Sequence, residues 1–155
     1  MHDEIDLRLL RLLAENSRAS LRELAKSLGV AVSTVHARLQ RLMRERLIKR
    51  FTIIPDFERL GYPITAVILV SVEGGAIEEV AKLLSREARL VAVYDITGDY
   101  DLVVIGKFRN MDDLNAFLKR LNKLPSIRRT VTSVVLKVFK EDLASPLHAT
   151  HEPSI

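Results

Sequence analysis

Apolar residues recur at helical spacing through the first third of the chain, then gather into unbroken β-branched runs. Ile5, Leu9, Leu12 and Leu13 share one helical stripe, with Asp3 and Asp6 as capping-type residues at its start. Ser20-Leu21-Arg22-Glu23 announces a second helix, because the Ser20 hydroxyl can accept the Glu23 backbone N–H while the Glu23 side chain reaches back. Leu21, Leu24, Ala25 and Leu28 supply its apolar face, and Gly29 ends it. A third helix is expected from about Val32 to Arg46, with Val35, Leu39 and Leu42 inward.

Two short helices joined by a glycine-containing turn fit a helix-turn-helix, with the third helix of the chain as the recognition helix. Opposite Val35, Leu39 and Leu42 lie Ser33, Ala37, Gln40 and Arg41, flanked by Thr34, His36 and Arg38. These groups can read base edges or grip phosphates, and small residues at 33 and 37 let the helix approach closely. Arg44, Arg46, Lys49 and Arg50 continue the positive stripe toward flanking phosphates. The bland alternative is a three-helix core with a solvated polar face. Leu47 to Ile54 reads as a short strand closing this domain, and 55–63, with proline at both ends and a glycine, reads as a linker.

Beyond residue 63 the expected order is strand, helix, strand, twice over. The strands are Ile64–Val72, Leu90–Thr97, Asp101–Phe108 and about Ile127–Lys140; the helices are Ala76 to about Arg86 and one capped by Asn110 and stopped by Pro125. This is the ferredoxin-like split arrangement, an antiparallel sheet with both helices on one face. The runs Val67-Ile68-Leu69-Val70, Leu102-Val103-Val104-Ile105 and Val134-Val135-Leu136 are apolar toward both faces, so the second face needs a cover. A second copy of the chain in a two-fold dimer supplies one; the N-terminal domain folding back is the other possibility.

Charge separates the two halves. Residues 1–50 hold 11 Lys and Arg against 6 Asp and Glu, whereas residues 51–155 hold 13 against 14, so the positive excess belongs to the first domain and points to a polyanion. The absence of cysteine excludes a disulfide framework and thiolate metal sites. No apolar run is long enough to span a membrane and the start is polar, so a soluble cytoplasmic protein is expected. Scarce glutamine, no Cys or Trp and abundant charge lean toward a heat-adapted source. His148 and His151 stand three apart in a tail from residue 142 that reads as disordered; with no further ligand nearby, no metal is expected there. No phosphate-loop, dinucleotide or nucleophile-elbow motif occurs, so no cofactor and no enzymatic activity are expected.

The segments DEIDLRLLRLL, SRASLRELAKSLGVAVSTVHARLQRLMRERLIKRF, TGDYDLVVIGKFRNMDDLNAF and LPSIRRTVTSVVL, in that order, resemble the Lrp/AsnC (feast/famine) family of transcriptional regulators over roughly residues 2–141. The resemblance implies a prokaryotic, archaeal-type source and an α+β fold: a three-helix winged helix-turn-helix over 1–50, strand and linker over 51–63, and a ferredoxin-like βαββαβ (RAM-type) effector and oligomerisation domain over 64–141. It implies dimers that assemble further, often to octamers, on palindromic promoter DNA, with an amino-acid effector held between dimers. It places that effector at Gly98, Asp99, Tyr100 and Asp101 and at Thr130 and Thr132. Read without the family, Gly98-Asp99 is a tight hairpin turn and nothing more. One departure is Ala31, which stands where relatives often carry a capping hydroxyl. Two other functions stay open: an architectural DNA-wrapping protein, and a tetrapyrrole-pathway enzyme on the same fold.

Overall fold

The computed structural model describes residues 3–149. Two compact units form, one from the chain up to Ile53 together with the chain from Lys140 onward, the other from Ile54–Phe139.

The first unit holds α1 (Glu4–Glu15), α2 (Leu21–Leu28) and α3 (Val32–Arg44). The Asp3 carboxylate accepts the Asp6 backbone N–H at 2.9 Å and so caps α1. The capping box of α2 is complete, with Glu23 N–H on Ser20 Oγ at 3.2 Å and Ser20 N–H on Glu23 Oε2 at 2.7 Å. Gly29 ends α2 in the left-handed region at φ 69°, and Val30 N–H closes the turn on the Ala25 carbonyl. Leu9, Leu13, Leu24, Leu28, Val35 and Leu42 meet in one apolar core. Ala31 stands at the N-cap of α3 and gives it no side-chain hydrogen bond.

The second unit is a four-stranded antiparallel sheet of β1 (Ile64–Val72), β2 (Leu90–Asp95), β3 (Leu102–Phe108) and β4 (Ile127–Val134), in the order β2-β3-β1-β4. α4 (Ile77–Leu84) and α5 (Met111–Asn122) cover one face. Ala66, Ile68, Val70 and Val72 alternate inward on β1 and pack with Leu102, Val104 and Phe108 of β3 beneath Val80, Leu84, Leu114, Phe117 and Leu121. The Phe108 ring lies over Gly106, so a methyl group there would stand 2.7 Å from Phe108 Cε2 and 3.0 Å from Leu90 Cδ2. On the opposite face Val67, Leu69, Val103 and Ile105 are half-buried, and Val131 is 41% exposed.

Several expected boundaries move. A strand is expected over Leu47–Ile54, but no strand forms there among the described residues. The N–H groups of Arg46, Leu47 and Ile48 instead cap α3, on the carbonyls of Met43 and Leu42, and the extended chain that follows finds no ladder partner. The helix-turn-helix therefore carries no paired wing among the described residues. β4 stops at Val134 rather than near Lys140. Ala66 pairs with Val134 and the Thr65 carbonyl takes the Val135 N–H, and the next residue along that edge of β1 to face β4, Pro63, has no N–H to offer. β2 ends at Asp95, and Ile96 N–H bonds the Asp101 carbonyl at 2.9 Å, so the hairpin loop is four residues long rather than two. Gly98 alone in that loop has positive φ, at 109°. The linker is ordered, with Asp56 capping a turn in which Tyr62 N–H meets the Phe57 carbonyl. The described part of the tail is ordered too. Ser145–His148 form a 3-10 turn, and Arg11 Nε donates to the Leu147 carbonyl at 2.6 Å. His148 Nδ1 lies 4.0 Å from Glu15 Oε1, and His151 lies outside the described residues.

Two substitutions should move stability in opposite directions. Ala31→Ser supplies the missing cap and should stabilise by about 1 kcal/mol. Gly106→Ala should destabilise by about 1–3 kcal/mol, because the Phe108 ring must leave its site. Thermal unfolding of both variants checks the pair.

Candidate nucleic-acid interface and effector loop

α3 presents one continuous exposed stripe. Ser33, His36, Ala37, Gln40 and Arg44 are all exposed at helical spacings of three and four. Val32 and Met43, each 42% exposed, border it and do not stand out in the sequence as contact residues. Arg46, Lys49 and Arg50 follow, also exposed. Arg46 is the one non-glycine residue with positive φ among those described, at 57°.

Thr34, Arg38 and Arg41 lie on the flank of α3 and are half-buried. Arg38 Nη1 stands 2.7 Å from Asp3 Oδ2 and 2.9 Å from Asp6 Oδ1, and Arg41 Nη2 donates to Asp6 Oδ2. The Asp6 side chain is 1% exposed, against 21% for Arg38 and 37% for Arg41. The Arg38 guanidinium holds the Asp3 carboxyl below the ordinary carboxylate range, helped by the Asp6 backbone N–H. In return the Asp3 and then the Asp6 carboxylates push Arg38 upward. Arg41 Nε is buried without an acceptor, the cost of drawing that guanidinium inward. Removing one partner of a fully buried pair costs about 3–5 kcal/mol; water reaching both arginines lowers that figure here. The sequence carries a signal for Asp6. It stands three residues before Leu9 and seven before Leu13, on the buried stripe of α1 rather than at its cap.

The loop 97–100 and the start of β4 meet at one end of the sheet. Asp101 grips β1 twice: its N–H donates to the Val70 carbonyl at 3.0 Å, and its Oδ2 accepts the Val72 N–H at 2.7 Å, where β1 shifts register against β4. One oxygen of the Asp101 carboxylate is therefore already engaged. Asp99 is exposed, and the Tyr100 ring packs 5.0 Å from the Arg129 guanidinium. Thr130 pairs with Val70 and Thr132 with Ile68, so both hydroxyls lie on the helix-bearing face. The Thr130 hydroxyl donates to Asn122 Oδ1 at 3.1 Å. Arg129 pairs with Ser71 and points to the opposite face with Tyr100. Loop and threonines are thus neighbours at one sheet end but divided between its two faces. Arg129 and Asn122 go unremarked in the sequence, although the Arg128-Arg129 pair directly before Thr130 offers a signal.

A family model described as Lrp/AsnC ligand binding domain matches residues 65–144, and one described as winged helix-turn-helix DNA-binding matches 2–49. The chain belongs to the Lrp/AsnC family. The HTH-type transcriptional regulator FL11 of Pyrococcus horikoshii is 42% identical over 145 residues, covering 94% of this chain and 96% of its own. The HTH-type transcriptional regulator Ptr1 of Methanocaldococcus jannaschii is 30% identical over 148 residues, 95% of this chain and all of its own. The same fold appears in the regulator NMB0573 of Neisseria meningitidis, solved as an L-Met complex (TM-score 0.89, 23% identity, 96% and 98% coverage). It appears again in E. coli AsnC (TM-score 0.84, 24% identity, 91% and 96% coverage). This Lrp/AsnC chain is accordingly a transcriptional regulator with a DNA-binding helix-turn-helix and a ligand-binding domain, not an enzyme. The archaeal relatives agree with the source that the sequence suggests. No helix among the described residues is long and apolar enough to cross a membrane.

The left-handed backbone at Arg46 offers a test of what that side chain contributes. Arg46→Gly should stabilise the protein by about 1 kcal/mol by relieving the conformation. It should also weaken duplex binding, because a cation beside the recognition helix is lost. Melting curves and duplex affinity at one salt concentration read the two effects separately.

Proposed function

We propose that this Lrp/AsnC regulator is a sequence-specific DNA-binding protein of the cytoplasm that works as a homodimer and answers to an amino acid. The observation that carries the reading is the exposed stripe Ser33, His36, Ala37, Gln40 and Arg44 on α3, continued by Arg46, Lys49 and Arg50. Serine, histidine and glutamine offer donors and acceptors suited to base edges, and the arginines and lysine suit phosphates. Two such helices in a two-fold dimer reach successive major grooves about 34 Å apart, which calls for a palindromic site.

The helix-free sheet face supports the dimer. Val67, Leu69, Val103, Ile105 and Val131 form an apolar band on it, and an apolar patch of this kind favours a self-complementary partner. Leu136 and Phe139, beyond the end of β4, are further exposed apolar side chains. Further assembly of dimers, up to an octamer, is part of the same proposal.

The effector end of the sheet suits a zwitterion. An ammonium group finds the free Asp99 carboxylate and the second oxygen of Asp101, and a carboxylate finds loop N–H groups and the Arg129 guanidinium. Thr130 and Thr132 lie on the opposite, helix-bearing face, where the Thr130 hydroxyl is held by Asn122, so the loop and Arg129 carry this reading. The L-Met complex of NMB0573, alike in fold, supports an amino acid as the ligand class.

Mobility shift of a palindromic duplex and thermal shift with each of the twenty amino acids test the two halves. Duplex binding is expected at low salt, and one amino acid should raise the melting temperature; at a hundredfold excess over Kd a ligand stabilises by about 2.7 kcal/mol. Asp99→Asn should abolish the amino-acid shift and leave duplex binding intact. Asp101→Ala is the poorer probe, because it also releases the Val72 N–H and loosens β1. Failure to bind duplex at low salt rejects the DNA reading; no shift with any amino acid rejects the effector reading.

A further inference from the structure

Resting on the DNA-binding reading above, we propose that Asp6, assisted by Asp3, is a positioning residue for duplex recognition. It holds Arg38 and Arg41 against α1, so that these two arginines set the pose of α3 and take no phosphate. The geometry assigns the two cations to this internal duty. Arg38 Nη1 meets both oxygens of Asp3 at 2.7 Å and Asp6 Oδ1 at 2.9 Å, while Arg41 meets the other Asp6 oxygen. Asp3 is at the same time the N-cap of α1, so the first turn of α1 and the middle of α3 share one set of hydrogen bonds.

The arrangement divides the positive charges of this unit by task. Arg38 and Arg41 are neutralised locally and turned to the flank. Arg44, Arg46, Lys49 and Arg50 are exposed, and no ion pair engages them among the described residues. A phosphate contact releases a counterion and steepens the salt dependence of binding; a cation already satisfied by carboxylates contributes nothing to that slope. The helix pose itself is fixed by a buried carboxylate with two guanidiniums on it, a contact with narrow angular tolerance. Loss of that contact lets α3 tilt, and discrimination between bases depends on the tilt more than affinity for phosphates does.

The test is the slope of log Kobs against log salt for a random-sequence duplex, measured with the full-length protein between about 50 and 200 mM salt. Each variant is also compared on its specific and random duplexes. Arg38→Gln and Arg41→Gln should leave the slope unchanged while lowering the ratio of specific to random affinity. Arg44→Gln should reduce the slope by about 0.9, one phosphate contact. Asp6→Asn should steepen it, because Arg41 loses its carboxylate and becomes available to phosphate while Arg38 keeps Asp3. Asp6→Leu combined with Arg41→Met removes both charges and keeps the fold testable if a single change unfolds it; its slope should equal that of the wild type. A reduction of about 0.9 on Arg38→Gln or Arg41→Gln, or an unchanged specific-to-random ratio in both, overturns the proposal. A wild-type protein that binds no duplex at the lowest salt instead removes the DNA-binding reading on which it rests.

Discussion

A charged carboxylate buried between two helices must keep its partners, and that requirement fixes the DNA-binding unit. Asp6 sits on the apolar stripe of α1 with Leu9 and Leu13, yet its carboxylate reaches across to Arg38 and Arg41 on α3. Apolar contacts among Leu9, Val35 and Leu42 hold the helices together, and a carboxylate shared by two guanidiniums adds directional hydrogen bonds between them. The stripe from Ser33 to Arg44 faces outward because Val35 and Leu42 face the core, and the carboxylate contacts on its flank tie α3 to α1.

The second unit faces the opposite problem. Its sheet has one face sealed by α4 and α5 and another that carries Val67, Leu69, Val103 and Ile105 without a helix above them. Asp101 ties the loop to β1 at one end, while Asp99 is exposed. The turn sets an exposed carboxylate beside an Arg129 that packs on Tyr100, and the proposed zwitterion site rests on that pairing of charges. Dimer and effector, as proposed, meet on the same small sheet.

Periodicity made most of the architecture legible. Ser20 and Glu23 mark the start of α2, Gly29 its end, and the β-branched runs mark β1 and β3, because these signals are local. Strand ends escaped, since β4 stops at its last pairing with Ala66 of β1 and not where its own sequence turns polar. The strand expected after α3 did not form: its residues suit a strand, but no ladder engages them among the described residues. In the DNA-facing site, exposure of Ser33, His36 and Gln40 follows from helical spacing alone. The engagement of Arg38 and Arg41 does not, because it depends on a carboxylate about thirty residues away. In the proposed effector site the residues were legible, but their division between two sheet faces required the register of β4 against β1.

The most direct test of the account is a structure of the protein bound to duplex DNA. Ser33, His36 and Gln40 should stand within hydrogen-bond distance of base edges in the major groove. Arg44 should contact a phosphate, while Arg38 and Arg41 remain on Asp3 and Asp6. A complex in which α3 lies outside the groove, or in which Arg38 and Arg41 have left the carboxylates for phosphates, would contradict it.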